Sequence, residues 1–160
     1  MESYFKEPDL HIVFKNKEKL KNFEENLIKT SDVSGFLLNK TDIFNKKSFI
    51  KGHWWVQDFS SFFPLYNLNF CDENLKILDA CAAPGGKAFQ LLSKNHKLIL
   101  NDKSKARIKT LEINLKRLKF NCEIFNKDFI KFEVNQKFDV IIIDAPCSAI
   151  GTIRKNPEIF

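Results

Sequence analysis

Patterns typical of metal sites and disulfides are absent from this sequence of 160 residues, which has four cysteines and three histidines. None of the cysteines forms a CxxC pair and the histidines lie far apart in the chain, so a zinc site is not expected. The sequence shows no basic cluster followed by an apolar run at its start, and no stretch approaches the ~20 apolar residues of a membrane span. We therefore expect a soluble, cytoplasmic protein without a metal site or a membrane span, with its thiols reduced.

Arginine is scarce, with three residues, and lysine provides nearly all of the positive charge. The net charge of +6 and the pI of about 9.1 favour a polyanionic partner such as RNA, DNA or an anionic membrane surface. Biased genomic base composition would also produce this abundance of Lys, Asn, Ile and Phe, so charge alone leaves the partner open. The hydrophobic fraction of 44% supports a packed core rather than disorder.

The sequence predicts two parts, residues 1–69 and residues 70–160. The first part is expected to be a small α+β module that ends in a linker helix. Leu10–Phe14 is apolar and predicts a strand, whereas Lys17–Thr30 has apolar residues at spacings of three and four, which predicts an amphipathic helix. The remaining predictions are short strands at Phe36–Leu38 and Ile43–Phe44, and a helix over Phe59–Leu68 capped by Asp58 or Ser60.

Strand and helix patterns alternate in the second part, which predicts an α/β fold. Its strands are nearly continuous apolar runs, and such runs are typical of a parallel sheet covered on both faces. The predicted strands are Leu75–Ala80, Lys97–Asn101, Cys122–Phe125 and Phe138–Ile143, and the predicted helices are Gly86–Ser93 and Lys105–Lys119. Ligands of such sheets bind at the carboxyl ends of the strands, so the residues there are the candidate site.

A loop of small residues follows the first of these strands, between Asp79 and Lys87. Small residues let the backbone approach a ligand closely, and the start of the next helix offers unpaired N–H groups. The spacing does not match the GxxxxGK[ST] phosphate-binding loop, because Ala88 follows the Gly-Lys pair. The loop is therefore either a nucleotide or cofactor site or a purely structural turn.

The other strands end at acidic residues. Asp102 follows the small-residue loop at about the spacing at which an acidic residue holds ribose hydroxyls. It could equally cap the next helix, and both roles can coexist. Asp128 could contact an adenine amino group or simply form a turn. Asp144 is followed by a Pro-Cys pair, which places the Cys147 thiol either in the cleft, where thiolate chemistry is possible, or buried in the turn.

Together these motifs resemble the RNA (cytosine-5)-methyltransferases of the Sun/RsmB type. The matching segments occur in the family's order and roughly its spacing, and the CAAPGGK and DAPCSA strings are specific in combination. The segments are Val56–Ser61, Leu78–Lys87, Asn114–Leu118, Asp144–Ala149 and Gly151–Glu158. The first part resembles, more loosely, the small RNA-binding module that precedes the methyltransferase domain in this family.

The resemblance implies the Rossmann-like fold of S-adenosylmethionine-dependent methyltransferases. The sheet of this α/β fold would be incomplete in these 160 residues. Asp102 would hold the ribose hydroxyls of the cofactor, Asp128 the adenine edge, and Asp144 would lie beside the methyl group and the target base. Arg154 and Lys155 would face the RNA backbone. The methionine and ribose portions would be surrounded by Cys81, Ala82, Ala83, Pro84, Gly85, Gly86 and Lys87.

The family's chemistry uses a cysteine pair. The attacking cysteine, in a later Thr-Cys motif, adds to carbon 6 of cytosine and thereby makes carbon 5 nucleophilic. Cys147 would assist product release; DNA methyltransferases use a Pro-Cys cysteine as the nucleophile, but the motifs around Cys147 are of the RNA type. The later motif and the remaining strands would lie beyond Phe160, so we expect this chain alone to be inactive and poorly soluble.

The resemblance also implies the partner, a ribosomal RNA, with transfer RNA as the alternative substrate, and a monomeric enzyme. A competing hypothesis is a non-catalytic module that binds S-adenosylmethionine or RNA and acts with a partner chain.

Overall fold

The helices and strands belong to two four-stranded β-sheets. The structure, a computed structural model, describes residues 9–38, 42–68, 70 and 74–145. The first sheet and its helices comprise β1 (Leu10–Phe14), α1 (Lys17–Lys21), β2 (Leu27–Lys29), β3 (Ser34–Leu37), α2 (Lys47–Ile50), β4 (Trp54–Val56) and α3 (Phe59–Asn67). The second comprises β5 (Lys76–Asp79), α4 (Gly86–Leu92), β6 (Lys97–Asn101), α5 (Lys105–Leu118), β7 (Glu123–Phe125) and β8 (Val140–Ile142). No helix in these ranges is long and apolar enough to cross a membrane.

The first sheet is antiparallel, in the order β2-β3-β1-β4. The predicted helix over Lys17–Thr30 is wrong beyond its first turn, because α1 ends at Lys21 and the later residues form the edge strand β2. The side chain of Leu27 lies against Gly35 of β3, where an added Cβ would come within 2.6 Å of the Leu27 Cγ. This contact favours the paired strand over a helix, because the helical spacing covers only a few turns.

The predicted strand at Ile43–Phe44 is also wrong, since residues Ile43–Asn45 form one turn of 3-10 helix. Asn45 closes this turn by donating its backbone N–H to the Asp42 carbonyl at 3.1 Å and its side-chain amide to the Asp42 carboxylate at 2.6 Å. Such local side-chain hydrogen bonds compete with strand pairing. The strands predicted around Ile12 and Phe36 are confirmed as β1 and β3, and Asp58 occupies the N-cap position of α3.

The second sheet is parallel, in the order β7-β6-β5-β8. The chain proceeds from β5 outward to β6 and β7 and then returns to β8 on the other side of β5. The order of strands therefore reverses between β5 and β8, where α/β proteins bind their ligands. The strands and helices predicted for this part are confirmed, with their ends shifted by a residue or two.

The last strand is less buried than its sequence predicts. Val140 and Ile142 pack against the core, but Ile141 and Ile143 are 52% and 60% exposed. The expectation of a sheet covered on both faces at this strand is therefore wrong for the described residues, because none of the described helices packs over its outer face.

One hydrophobic core extends across both sheets. Val13 and Trp55 of the first sheet and Phe62 of α3 belong to the same buried cluster as Ile77 of β5 and Phe89 of α4. A second, smaller cluster fills the other face of the first sheet. The domain boundary between residues 69 and 70 consequently stays a prediction, since the packing is shared across it.

Candidate functional site

The carboxyl ends of β5 and β6 lie side by side, because these strands pair in register up to Asp79 and Leu100. The loop that follows β5 crosses the end of β6 and is hydrogen-bonded to it. The Ala82 N–H donates to the Asn101 carbonyl at 2.8 Å, and the buried Asn101 side chain donates to the Ala80 carbonyl at 3.1 Å. The small-residue loop therefore has a fixed position over the carboxyl edge of the sheet.

The loop ends in a residue for which only glycine is suitable. Gly85 has φ of 117°, a conformation that side chains rarely adopt. A Cβ added to Gly85 would also lie 2.1 Å from the ring of Phe89, which is buried in the core. The close approach of loop and ring lets α4 begin directly at Gly86.

A first cleft opens between this loop and the first part of the chain. It brings together most of the loop residues predicted for the site, and the Lys87 ammonium forms an ion pair with the Asp144 carboxylate within it. Burial, followed by the nearby Asp102, raises the pKa of the Cys81 thiol, which keeps it protonated. The cleft is lined by Val56, Gln57, Asp58, Ser61, Asp79, Cys81, Ala82, Ala83, Pro84, Gly86, Lys87, Arg107 and Asp144.

A second cleft lies on the other side of the loop. Cys81 and Arg107 line both clefts, so that the two are neighbours along the carboxyl edge of the sheet. Apolar side chains form much of the second cleft, and two predicted carboxylates lie among them. The lining residues include Asp102, Asp128, Phe129, Ile130 and Ile143.

Asp102 is buried at the end of β6 and binds the loop. Its carboxylate accepts the Ala83 N–H at 3.1 Å and the Ser104 N–H at 2.9 Å. Arg107 lies 3.6 Å from the same carboxylate and donates to the Ala83 carbonyl. The alternative that Asp102 caps α5 is wrong, because Ser104 occupies the N-cap and accepts the Arg107 N–H at 3.4 Å.

Asp128 lies at the rim of the second cleft. It forms an ion pair with Lys103 at 2.8 Å and accepts the Ile130 N–H at 3.2 Å, which starts a short 3-10 helix. The hydrogen bond from Lys103 holds the pKa of the Asp128 carboxyl below its usual value. Asp128 therefore forms a turn, which is one of the two predicted alternatives. Its carboxylate also lines the second cleft.

Asp79 is a buried carboxylate that lines the first cleft. The sequence pattern predicts only that a strand ends near this residue. The side chain is 1% exposed, and neither oxygen has a well-formed hydrogen bond within the described part of the chain. Burial raises the pKa of Asp79 from 3.8 to about 7, and the Cys81 N–H and Lys87 only partly oppose this shift. An unpaired buried carboxylate in a cleft is suited to a cationic ligand group.

The floor of the first cleft is rigid because Gln57 is held from both ends. Its amide donates to the Gln90 side chain at 2.7 Å and accepts the Trp55 indole N–H at 3.0 Å. Gln90 in turn donates to the Phe62 carbonyl at 3.1 Å. Gln57 and Arg107 are cleft residues to which the sequence assigned no role; for Gln57, its place in the Val56–Ser61 motif was the available signal.

The predicted site residues fall into two groups. The structure brings the loop residues, Asp102, Asp128 and Asp144 together along one edge of the sheet. Cys147, Arg154 and Lys155 lie outside the described residues.

Comparison with known proteins gives a consistent assignment. Residues 65–160 match the model of the family described as 16S rRNA methyltransferase RsmB/F. The chain is 37% identical over 134 residues to ribosomal RNA small subunit methyltransferase B of Shewanella oneidensis, covering 81% of this chain and 31% of that protein. It is 41% identical over 117 residues to the 25S rRNA (cytosine-C(5))-methyltransferase nop2 of Schizosaccharomyces pombe, covering 69% of this chain and 19% of the relative. The chain thus spans less than a third of the length of these curated relatives.

Solved structures show the same fold. A methyltransferase homologue from Pyrococcus horikoshii superposes with a TM-score of 0.77 at 26% identity, covering 95% of this chain and 55% of that one. NSun6 from the same organism, solved with SFG, gives a TM-score of 0.59 at 37% identity, covering 66% of this chain and 29% of that one. The predicted Rossmann-like methyltransferase fold is confirmed by this similarity.

Proposed function

The chain belongs to the 16S rRNA methyltransferase RsmB/F family, and from this premise we propose that it serves methyl transfer from S-adenosylmethionine to carbon 5 of a cytosine in ribosomal RNA. One observation carries the proposal: two clefts meet around the loop after β5 and together hold residues suited to binding the cofactor and the target base. One cleft suits a nucleoside, and the other combines an unpaired carboxylate with a Lys–Asp ion pair.

The donor groups of the site fit S-adenosylmethionine. Asp102 and Asp128 would hold the ribose hydroxyls and the adenine edge in the second cleft, against the apolar side chain of Phe129. The unpaired carboxylate of Asp79 fits the positively charged methionine portion in the first cleft. The loop between them, Cys81–Lys87, would surround the middle of the cofactor, because its small residues leave the backbone accessible.

The Lys87–Asp144 pair fits the target base. S-adenosylmethionine supplies an electrophilic methyl group on a positively charged sulfur. Asp144 can accept a hydrogen bond from the exocyclic amino group of cytosine, and the Lys87 ammonium can donate one to the polar edge of the ring. When the cysteine of the later motif adds to carbon 6, negative charge develops on the polar edge of the ring. A fixed ammonium at that edge stabilises the intermediate.

The remaining roles follow from the family resemblance. Cys147 would assist release of the product, and Arg154 and Lys155 would contact the RNA backbone. The names of the curated relatives, which are ribosomal RNA methyltransferases, support ribosomal RNA over transfer RNA. A monomeric, cytoplasmic enzyme without a metal ion belongs to the same proposal.

Calorimetric titration of S-adenosylmethionine tests the cofactor site. We expect wild-type protein to bind the cofactor, and Asp102→Ala to bind it at least about 30-fold more weakly, since hydrogen bonds to a charged group contribute roughly 2 kcal/mol. Asp102→Asn should lie between them, because the amide keeps an acceptor but loses the charge. Glu133→Gln, an exposed carboxylate away from both clefts, serves as the control. Equal binding by all four proteins would refute the assignment.

A further inference from the structure

Chain segments that carry basic side chains meet at the edge of the parallel sheet opposite the two clefts. α5 begins beside the carboxyl ends of the strands and runs back antiparallel to them, so its last residues reach the other edge. Three chain segments meet at this end of α5. The basic cluster is defined here as His53 and the four lysines whose charges act on it, which are Lys15, Lys19, Lys51 and Lys119.

Backbone contacts hold the three segments in place. The Lys15 N–H donates to the His53 carbonyl at 3.0 Å, and the Lys15 ammonium donates to the Leu118 carbonyl at the end of α5 at 2.6 Å. Gly52 is pressed against the same helix end, where an added Cβ would lie 2.0 Å from the Arg117 carbonyl oxygen. The fold therefore holds together the three segments that carry the basic cluster.

The cluster has no acidic partner among the residues that the structure describes. No ion pair or hydrogen bond links the side chains of Lys19, Lys51, His53 or Lys119 to another group within residues 9–38, 42–68, 70 and 74–145. Burial lowers the pKa of His53, and repulsion from the four lysines lowers it further. Like charges held together in this way are relieved by a bound polyanion.

β4 connects the basic cluster to the first cleft. The strand lies between His53 at the cluster and Gln57 at the cleft, and these two residues are about 13 Å apart along an extended chain. Phe44, 69% exposed, contacts Phe49 with ring centres 5.5 Å apart, next to the segment that carries Lys51. Lysines beside an exposed aromatic ring are the combination that binds single-stranded nucleic acid.

We propose that the basic cluster binds phosphates of the RNA substrate at a distance from the target cytosine and so holds the RNA across β4. This inference rests on the proposed function, since it assigns a second contact to the same RNA. The occupant is the phosphodiester backbone, because charge complementarity and an exposed ring favour RNA at this surface.

Fluorescence anisotropy tests the proposal. The probe is a labelled single-stranded RNA of about 20 nucleotides, which is longer than the binding site of one typical domain. The test variant is Lys19→Gln/Lys51→Gln/Lys119→Gln. We expect the slope of log affinity against log salt to fall by about 2, and the affinity at about 0.1 M salt to fall roughly 30–100-fold. The matched control, Lys94→Gln/Lys109→Gln/Lys137→Gln, removes the same charge at exposed positions outside the cluster and should change binding much less.

Thermal melting of both triple variants establishes that they fold, and titration of S-adenosylmethionine separates the two proposals. Unchanged cofactor binding with lost RNA binding in the test variant supports the basic cluster. Equal losses in both triple variants, or no loss in the test variant, would overturn it. If wild-type protein binds the cofactor but no RNA, the cluster proposal fails while the cofactor site stands; if it binds neither, the proposed function fails as well.

Discussion

Asp79→Asn is expected to make the protein more stable at pH 8 and to weaken its binding of S-adenosylmethionine at the same time. The carboxylate is buried without a well-formed hydrogen bond in the described part of the chain, so its ionised form is costly in the ligand-free protein. The same negative charge would stabilise a bound cation. A neutral amide of the same shape removes both effects.

The stability of the wild-type protein depends on pH, because the pKa of Asp79 differs between the unfolded and the folded chain. Burial raises the pKa of Asp79 from 3.8 in the unfolded chain to about 7 in the folded protein. Between these values the folded protein keeps a proton that the unfolded chain has released, so stability falls as pH rises. At about 1.4 kcal/mol per pKa unit, this loss amounts to roughly 4 kcal/mol by pH 8. Asp79→Asn should lose none of it.

Urea denaturation of wild type and Asp79→Asn at pH 5 and pH 8 measures this difference. The stability advantage of the variant should be larger at pH 8, whereas Glu133→Gln, an exposed carboxylate, should show none. Calorimetry should show cofactor binding weakened about 10–100-fold in Asp79→Asn, the value of a charge-assisted hydrogen bond. A variant that is less stable than wild type at pH 8, or that binds the cofactor equally well, would contradict the assigned role of Asp79.

Gly85→Ala is expected to destabilise the protein by about 3 kcal/mol or more and to abolish measurable cofactor binding. The φ of 117° costs an alanine roughly 1–3 kcal/mol in backbone strain. The new methyl group would also lie 2.1 Å from the Phe89 ring, which cannot move without disturbing the core. The loop must then shift, and the contacts of Ala82 and Ala83 at the end of β6 shift with it.

The neighbouring glycine provides a matched control. Gly86 has no positive φ, and a Cβ there would meet the Gln57 side chain at 3.2 Å, a tight contact that a small adjustment relieves. Gly86→Ala should therefore cost less than about 1.5 kcal/mol and keep most cofactor binding. Thermal unfolding and calorimetry of the two variants make the comparison. Similar losses in both would show that the conformation of Gly85 is not what shapes the loop.

The second part of the chain could be predicted from the sequence because local and global signals agree there. Apolar runs such as Lys97–Asn101 are strands in a parallel sheet, and the apolar spacing of Lys105–Leu118 is that of a long helix packed on it. The strand ends then place Asp102 and Asp128 on one edge without further information.

The first part could not be predicted as well, because short elements are decided by tertiary contacts. The segment at Leu27 has helical spacing but pairs with β3, where Gly35 leaves room for its side chain. The helix cap at Ser104 was missed since Asp102, two residues earlier, has equally suitable chemistry for a cap. The unpaired state of Asp79 depends on which donors surround it in space, and no local pattern reports that.

The position of the cofactor is tested most directly by mapping backbone amide shifts in NMR spectra during titration with S-adenosylmethionine. We predict that the changes concentrate in the loop Ala80–Gly86 and around Asp102 and Asp128, and that β1 and β3 stay unchanged. Shifts of this pattern would locate the cofactor across the two clefts at the carboxyl edge of the parallel sheet. Saturable shifts centred elsewhere, or none in a folded protein, would contradict the site and the methyl-transfer function built on it.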